Sequence, residues 1–350
     1  MQSALIVITS SRLEANTMIF VDPPAPAVVT VTSVSTTSVV VRVEKPTDAT
    51  GIGRYEVRVD GVGTTPACTI PSGDKLECQV DGLRPGTAYK VAVSSCISGT
   101  VPAVCSEDTR ASGWTRPNAP ADVAVVPSSS TSVAVRFKAP TDATGIGRYE
   151  VTVSGVELIK SCTIPLGEEL ECRVDGLQSA SKFEGTVKSC INDTDPAVCS
   201  EDVVASGWTK PNPPAEMLIL PSSSSSVFVR VTPPSEPTGI RLYTASVVGV
   251  NETSLCVMLN MENPGCRLDG LQSATEYNVS GNACVSTADP MVCSESVTAS
   301  GWTKPNSPSN MTLGSVDSTS IYVSWQKPEG MMNGITLYKA LARQSSRAVE

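Results

Sequence analysis

Twelve cysteines fall in three sets of four, and the sets share one register. Cys68, Cys78, Cys96 and Cys105 are followed by Cys162, Cys172, Cys190 and Cys199, and then by Cys256, Cys266, Cys284 and Cys293. The spacing inside each set is 10, 18 and 9 residues, and every position returns after 94 residues. Trp114, Trp208 and Trp302 keep the same offset, each inside Ser-Gly-Trp-Thr-(Lys/Arg)-Pro-Asn. The segment Pro46–Val57 returns letter for letter at Pro140–Val151. A fixed period of this length marks tandem modules. A fourth copy opens at Lys304-Pro305-Asn306, passes Trp325 and Tyr338, and breaks into the tail Ala342–Glu350. About half of that copy is missing, so it is expected to bury little apolar surface and to be poorly stable by itself. This end reads as a truncation rather than a natural terminus.

Within a repeat the apolar period is two. Val39, Val41 and Val43 share one face, with Ser38, Arg42 and Glu44 on the other. Tyr55, Val57 and Val59 alternate with Glu56, Arg58 and Asp60, and Tyr89, Val91 and Val93 alternate with Lys90, Ala92 and Ser94. This is the pattern of half-buried antiparallel strands. Lys45-Pro46, Asp60-Gly61, Pro71-Ser72-Gly73, Asp81-Gly82 and Pro85-Gly86 punctuate the runs as turns. About seven short strands per repeat, with no 3.6-residue period, predict an all-β chain of tandem immunoglobulin-like β-sandwiches.

Specific residues then carry a family resemblance. Pro23-Pro24 and Pro213-Pro214 precede the first strand of their repeats, and Tyr55, Tyr149 and Tyr243 take the position of a third-strand aromatic. Asp81–Tyr89 (DGLRPGTAY) has the form Leu-x-Pro-x-Thr-x-Tyr, and Trp325 sits in Val323-Ser324-Trp325. In these features, over residues 23 to 340, the chain resembles the fibronectin type III family. The resemblance implies an irregular segment at 1–22, domains at 23–116, 117–210 and 211–304, and a truncated domain at 305–350. It also implies strands A to G in two sheets. Three departures stand out. Val43, Phe137 and Val231 replace the strand-B tryptophan, Phe183 replaces the corner tyrosine in the second copy, and most members of the family lack cysteines. These suggest thinner cores supplemented by disulfides. An immunoglobulin domain is a weaker match, because its bridge joins strands B and F and no repeat has a strand-B cysteine.

Four cysteines per repeat allow three connectivities, and sequence alone does not choose among them. On the strand assignment Cys96 ends strand F and Cys105 starts strand G, while Cys68 and Cys78 flank a Pro-Ser-Gly turn. First-with-second and third-with-fourth pairing is therefore the expectation. Strand parity places Cys96 facing outward or at the rim. Zinc is disfavoured by the absence of CxxC spacing and of histidine. Twelve disulfide cysteines point to an oxidising compartment, and so to a secreted protein or an ectodomain.

Composition removes several function classes. The chain has no histidine, so histidine-based triads and HExxH sites are impossible. A net charge of −9 argues against nucleic-acid binding. No run of 18 apolar residues exists to form a membrane-spanning helix. Met1–Thr9 holds only the apolar run Ala4-Leu5-Ile6-Val7-Ile8, with no basic residue before it, and does not read as a signal peptide. Neither a cofactor nor a catalytic residue is predicted.

Four sequons, at Asn192, Asn251, Asn278 and Asn310, are candidate glycosylation sites. Trp114, Trp208 and Trp302 are expected to pack against the end of their own repeat or against its neighbour. The short proline-rich linkers then suggest a semi-rigid rod. The loops at 47–53 and 141–147, and those at 97–104, 191–198 and 285–292, are the expected binding surface. Glu107-Asp108 and Glu201-Asp202 read as a solvated edge, and Gly51-Ile52-Gly53 as a turn rather than a nucleotide loop. No Arg-Gly-Asp is present. The expected function is a non-enzymatic extracellular spacer and protein-interaction array with a protein ligand, its oligomeric state unassigned. The ectodomain of a receptor tyrosine phosphatase or kinase, and a freely secreted binder or antigen, stay open as alternatives.

Overall fold

A computed structural model describes residues 22–63, 66–73, 75–155, 158–249, 255–259, 261–328 and 335–343. Its described residues form strands and no helix. The first repeat holds β1 (Val28–Ser33), β2 (Val39–Glu44), β3 (Ile52–Val59), β4 (Cys68–Pro71), β5 (Glu77–Val80), β6 (Ala88–Ile97) and β7 (Thr109–Trp114). The second holds β8 (Ala121–Ser129), β9 (Ser132–Lys138), β10 (Arg148–Gly155), β11 (Leu158–Pro165), β12 (Glu171–Asp175), β13 (Lys182–Cys190) and β14 (Val203–Trp208). The third holds β15 (Glu216–Ser223), β16 (Ser226–Thr232), β17 (Leu242–Val247), β18 (Leu255–Met258), β19 (Gly265–Leu268), β20 (Glu276–Val285), β21 (Val292–Cys293) and β22 (Val297–Trp302). Two further strands follow, β23 (Ser309–Val316) and β24 (Ile321–Gln326).

Each of the three repeats forms the same two sheets. The first has the orders β1-β2-β5 and β4-β3-β6-β7, and the second β8-β9-β12 and β11-β10-β13-β14. The third has β15-β16-β19 and a sheet ordered β18-β17-β20, with β21 and β22 both paired to β20. The chain divides into two compact units. One comprises residues 1–124, 135–172 and 184–205, and the other residues 125–134, 173–183 and 206–350.

In the first unit, strand alternation builds the core. Val39, Val41 and Val43 of β2 meet Tyr55, Val57 and Val59 of β3 and Val91 and Val93 of β6, while Arg42 and Glu44 stay in water. Burying a valine side chain contributes roughly 1.5 kcal/mol or more. Phe137 and Tyr149 pack edge-on at 5.1 Å between ring centroids. Tyr149 Oη and its third-repeat counterpart Tyr243 Oη are buried and have no hydrogen-bond partner among the described residues.

Alternation fails along β6 from Val91 to Cys96, where every residue is buried. Cys96 is completely covered, which corrects the outward placement that parity predicts. The segment carrying Cys105 and Ser106 folds over the outer face of β6. Ser95 N–H donates to Ser106 Oγ at 3.0 Å, and Cys96 forms a lone β-bridge with Cys105.

In the second unit, the core of the third repeat gathers Val227, Val229 and Val231 of β16 with Tyr243, Ala245 and Val247 of β17, and with Val279 of β20. Gly301 sits so close to β15 that a Cβ there would meet Ile219, and Gly207 is crowded in the same way by Val125. In the first unit Gly113 is crowded by Val31. This explains the glycine of the Ser-Gly-Trp-Thr motif: the first and last strands of the repeat cross too closely for a side chain. Strand β23 is exposed along its whole length and β24 nearly so, with Met311, Leu313 and Tyr322 open to solvent. Among the described residues no helix is long and apolar enough to cross a membrane.

Candidate functional site: the repeat junctions

The threonine after each motif tryptophan anchors a corner. Thr115 Oγ1 donates to the Arg84 carbonyl at 2.6 Å and accepts from Thr87 N–H at 3.1 Å. Thr209 does the same with Gln178 and Ser181, and Thr303 with Gln272 and Thr275. Tyr89 Oη accepts from Arg84 N–H, and Tyr277 Oη from Gln272 N–H, both at 2.8 Å. Phe183 has no hydroxyl, so the second corner lacks that bond. Gly86, Ala180 and Ala274 end the corners with φ of 55°, 47° and 49°, in the left-handed region.

These corners meet the following repeat. In the first unit, Gly86 lies against the backbone of Thr144 and Gly145, so closely that a Cβ on Gly86 would run into Thr144 and one on Gly145 into Gly86. Gly145 has a φ of 74°. Arg116 Nη1 is 3.8 Å from Glu201 Oε1, and Asn118 Nδ2 donates to the Asp142 carbonyl at 3.0 Å. Hydrogen bonds from the Thr144 side chain and N–H hold the Asp142 carboxyl below its ordinary value.

In the second unit the arrangement returns 94 residues later. Gly239, with a φ of 79°, abuts Ala180. Lys210 Nζ donates to Glu295 Oε1 at 2.6 Å and lowers the Glu295 pKa through that bond and its charge. Trp208 packs on a cluster of Ala180, Val285, Ala288 and Val292. The tryptophan thus serves its neighbour, in line with the sequence expectation. The loops at 141–147 and 285–292, expected to be ligand-facing, lie in part against the preceding repeat. Tips such as Met291, at 51% exposure, remain open.

The structure pairs Cys68–Cys78, Cys96–Cys105, Cys162–Cys172, Cys190–Cys199, Cys256–Cys266 and Cys284–Cys293. The Cys68 bridge joins β4 to β5 and so ties the two sheets together, which the turn between them did not reveal. Glu56 lies beside Cys96 and Cys105, and Glu150 beside Cys190 and Cys199, but these sulfurs are bonded to each other and offer no thiolate. Glu107-Asp108 and Glu201-Asp202 immediately precede β7 and β14. Asn192, Asn278 and Asn310 are exposed, and Asn251 lies outside the described residues. The Asn192 amide packs against Gly147, with its Oδ1 3.4 Å from Arg148 Nη1. The apolar run at Ala4–Ile8 also lies outside them.

Residues 24–102 match the family model of the fibronectin type III domain. Mouse Tenascin-R is 28% identical over 285 residues, and human Tenascin-R 27%; each match covers 78% of this chain and 18% of the relative. The first repeat is thus a match to the fibronectin type III domain, and the chain is similar to proteins built from such domains. The three-domain crystal structure of chicken CNTN1 FN1-FN3 aligns with 80% of this chain and 99% of its own, at 15% identity and a TM-score of 0.33. In the lettering of fibronectin type III domains, β1, β2 and β5 are strands A, B and E, and β4, β3, β6 and β7 are C′, C, F and G. The junction residues went unread in the sequence analysis. A signal was present nonetheless: Arg116, Lys210 and Lys304, and Glu107, Glu201 and Glu295, recur at the 94-residue offset.

Proposed function

We propose that this chain is a non-enzymatic array of fibronectin type III domains that spaces and presents protein-recognition surfaces outside the cell, as in adhesion molecules, matrix proteins or receptor ectodomains. The domains are assigned to 23–116, 117–210 and 211–304, with part of a fourth at 305–350. The observation that carries the reading is the junction built twice from equivalent residues, Gly86 with Gly145 and Ala180 with Gly239. Equivalent junctions set successive modules in register and leave their outer surfaces to partners. Six local disulfides support an oxidising compartment. Exposed Asn192, Asn278 and Asn310 support glycosylation there, with Asn251 as a fourth acceptor.

Two measurements test this reading. Non-reducing peptide mapping of the chain, expressed through a secretory route, should find the local cystine pairs and glycan on the sequons. Free thiols and bare asparagines would remove the extracellular assignment. Solid-phase binding to a panel of cell-surface ectodomains should yield a partner whose binding is lost on reduction. Binding to none of them would remove the recognition role.

A further inference from the structure

The outer face of the A-B-E sheet is not the same in the three repeats. In the first, Arg42 Nε on strand B donates to Glu77 Oε2 on strand E at 3.0 Å. In the second, Arg136 Nε donates to Glu171 Oε2 at 2.6 Å. The third repeat keeps the cation and lacks the carboxylate, because Arg230 stands in register with Gly265. The ring of Phe228 takes the vacated space, so close to Gly265 that a Cβ there would run into it. Arg230 is exposed and forms no ion pair with any described residue. The same face is apolar around it. Leu218 lies directly across from Arg230 on β15, and Leu220 across from Phe228. Leu218 is 47% exposed, and Leu220 and Phe228 are each 39% exposed. The equivalent positions are Thr30, Thr32 and Val40 in the first repeat, and Ala124, Val126 and Ala134 in the second. Apolar side chains scattered singly over a surface are ordinary, whereas a contiguous group marks a contact surface.

We propose that this face of the third repeat docks a peptide segment of another protein, one that carries a carboxylate between apolar side chains. Charge complementarity argues for that occupant. The partner's carboxylate takes the place on Arg230 that Glu77 holds on Arg42 and Glu171 on Arg136. The neighbouring cation on strand E is already satisfied, since Arg267 Nε donates to Asp269 Oδ1 at 2.7 Å. Arg230 is therefore the cation that this face offers. The partner's apolar side chains cover Leu218, Leu220 and Phe228. Loss of an internal ion pair in water costs the free chain little, because exposed pairs contribute about 1 kcal/mol or less. Once a partner excludes water, an arginine and an aromatic ring in an apolar surround are where binding energy concentrates. The inference rests on the proposed recognition role and assigns it a surface and a partner chemistry.

Selection of random peptides displayed on phage against the full chain tests it. The counter-selection uses the double variant Phe228→Ala with Gly265→Glu, which rebuilds the arrangement of Ala134, Arg136 and Glu171 that the second repeat already folds with. Enriched peptides should share an Asp or Glu flanked by apolar residues. Synthetic copies, followed by fluorescence anisotropy, should bind the double variant and Arg230→Gln roughly tenfold more weakly or worse. Val257→Thr is the control: Val257 is 50% exposed on β18 of the other sheet, where the first two repeats have Thr69 and Thr163, and this variant should bind unchanged. Failure to enrich any peptide overturns the proposal, as do enriched peptides without a carboxylate. Peptides that bind the double variant equally well overturn this surface and leave the recognition role standing, which the ectodomain panel decides separately. A wild-type dimer in sedimentation equilibrium that the double variant abolishes would assign the face to a second copy of the chain and overturn the peptide partner.

Discussion

Lys210 donates to Glu295 at 2.6 Å across 85 residues of sequence, and the pair stands one repeat length downstream of Arg116 and Glu201. Both carboxylates follow the second cysteine of their F–G loop by two positions, and both cations follow the motif tryptophan by two. Repetition of the charge pair beside an equivalent close approach, Gly145 on Gly86 and Gly239 on Ala180, makes the junction a property of the repeat rather than of one pair of neighbours.

The Lys210–Glu295 pair gives the second junction a pH dependence of known sign. The Lys210 hydrogen bond lowers the Glu295 pKa from its ordinary 4.5, so the carboxylate is favoured when folded. Its contribution is complete above about pH 4.5 and is lost as pH falls through the lower folded value. The indole N–H shift of Trp208 should titrate in that acid window, and Glu295→Gln should abolish the titration.

Gly145→Ala and Gly51→Ala separate backbone strain from junction contact. Both positions have positive φ, 74° and 79°, so backbone strain should cost each alanine about 1 kcal/mol, with a further loss at Gly145 from the contact. Only Gly145 faces the Gly86 backbone. Hydrogen–deuterium exchange should therefore rise at 84–88 and 142–146 in Gly145→Ala and stay unchanged there in Gly51→Ala.

Phe183→Tyr should stabilise the second repeat. The hydroxyl would reach the Gln178 N–H in the way that Tyr89 and Tyr277 reach theirs at 2.8 Å. One such bond contributes about 1 kcal/mol, readable as an upward shift in Tm.

Tyr149→Phe and Tyr243→Phe should be neutral or stabilising. Each hydroxyl is buried without a partner among the described residues, and burial raises both phenol pKa values. Removing an unpaired buried hydroxyl relieves a desolvation cost of about 1 kcal/mol or more. A loss of that size in chemical denaturation would reveal a bonded hydroxyl instead.

Replacing Cys162 and Cys172 together with serine should lower stability by about 2–3 kcal/mol, the chain-entropy value for closing a loop of about ten residues. Denaturant unfolding before and after the substitution measures it. Their bridge crosses between strands C′ and E, so the variant should also exchange faster at β11 and β12.

Local order was legible from the residues alone. Period-two valines predicted β2 and β3 with the right faces, because alternation across a strand depends only on backbone geometry. The 94-residue register announced the repeats, and the Leu-x-Pro-x-Thr-x-Tyr segment announced the corner. What the chain order could not convey was the outer side of each element. Cys96 is buried because the F–G loop folds back over β6, and the expected ligand loops lie against the preceding repeat. The first disulfide of each repeat proved to link two sheets rather than brace a turn. These outcomes depend on segments brought together only when each sandwich closes and meets the next. Arg116 and Glu201 acquire their relationship from that closure, across a distance in sequence that no local pattern spans.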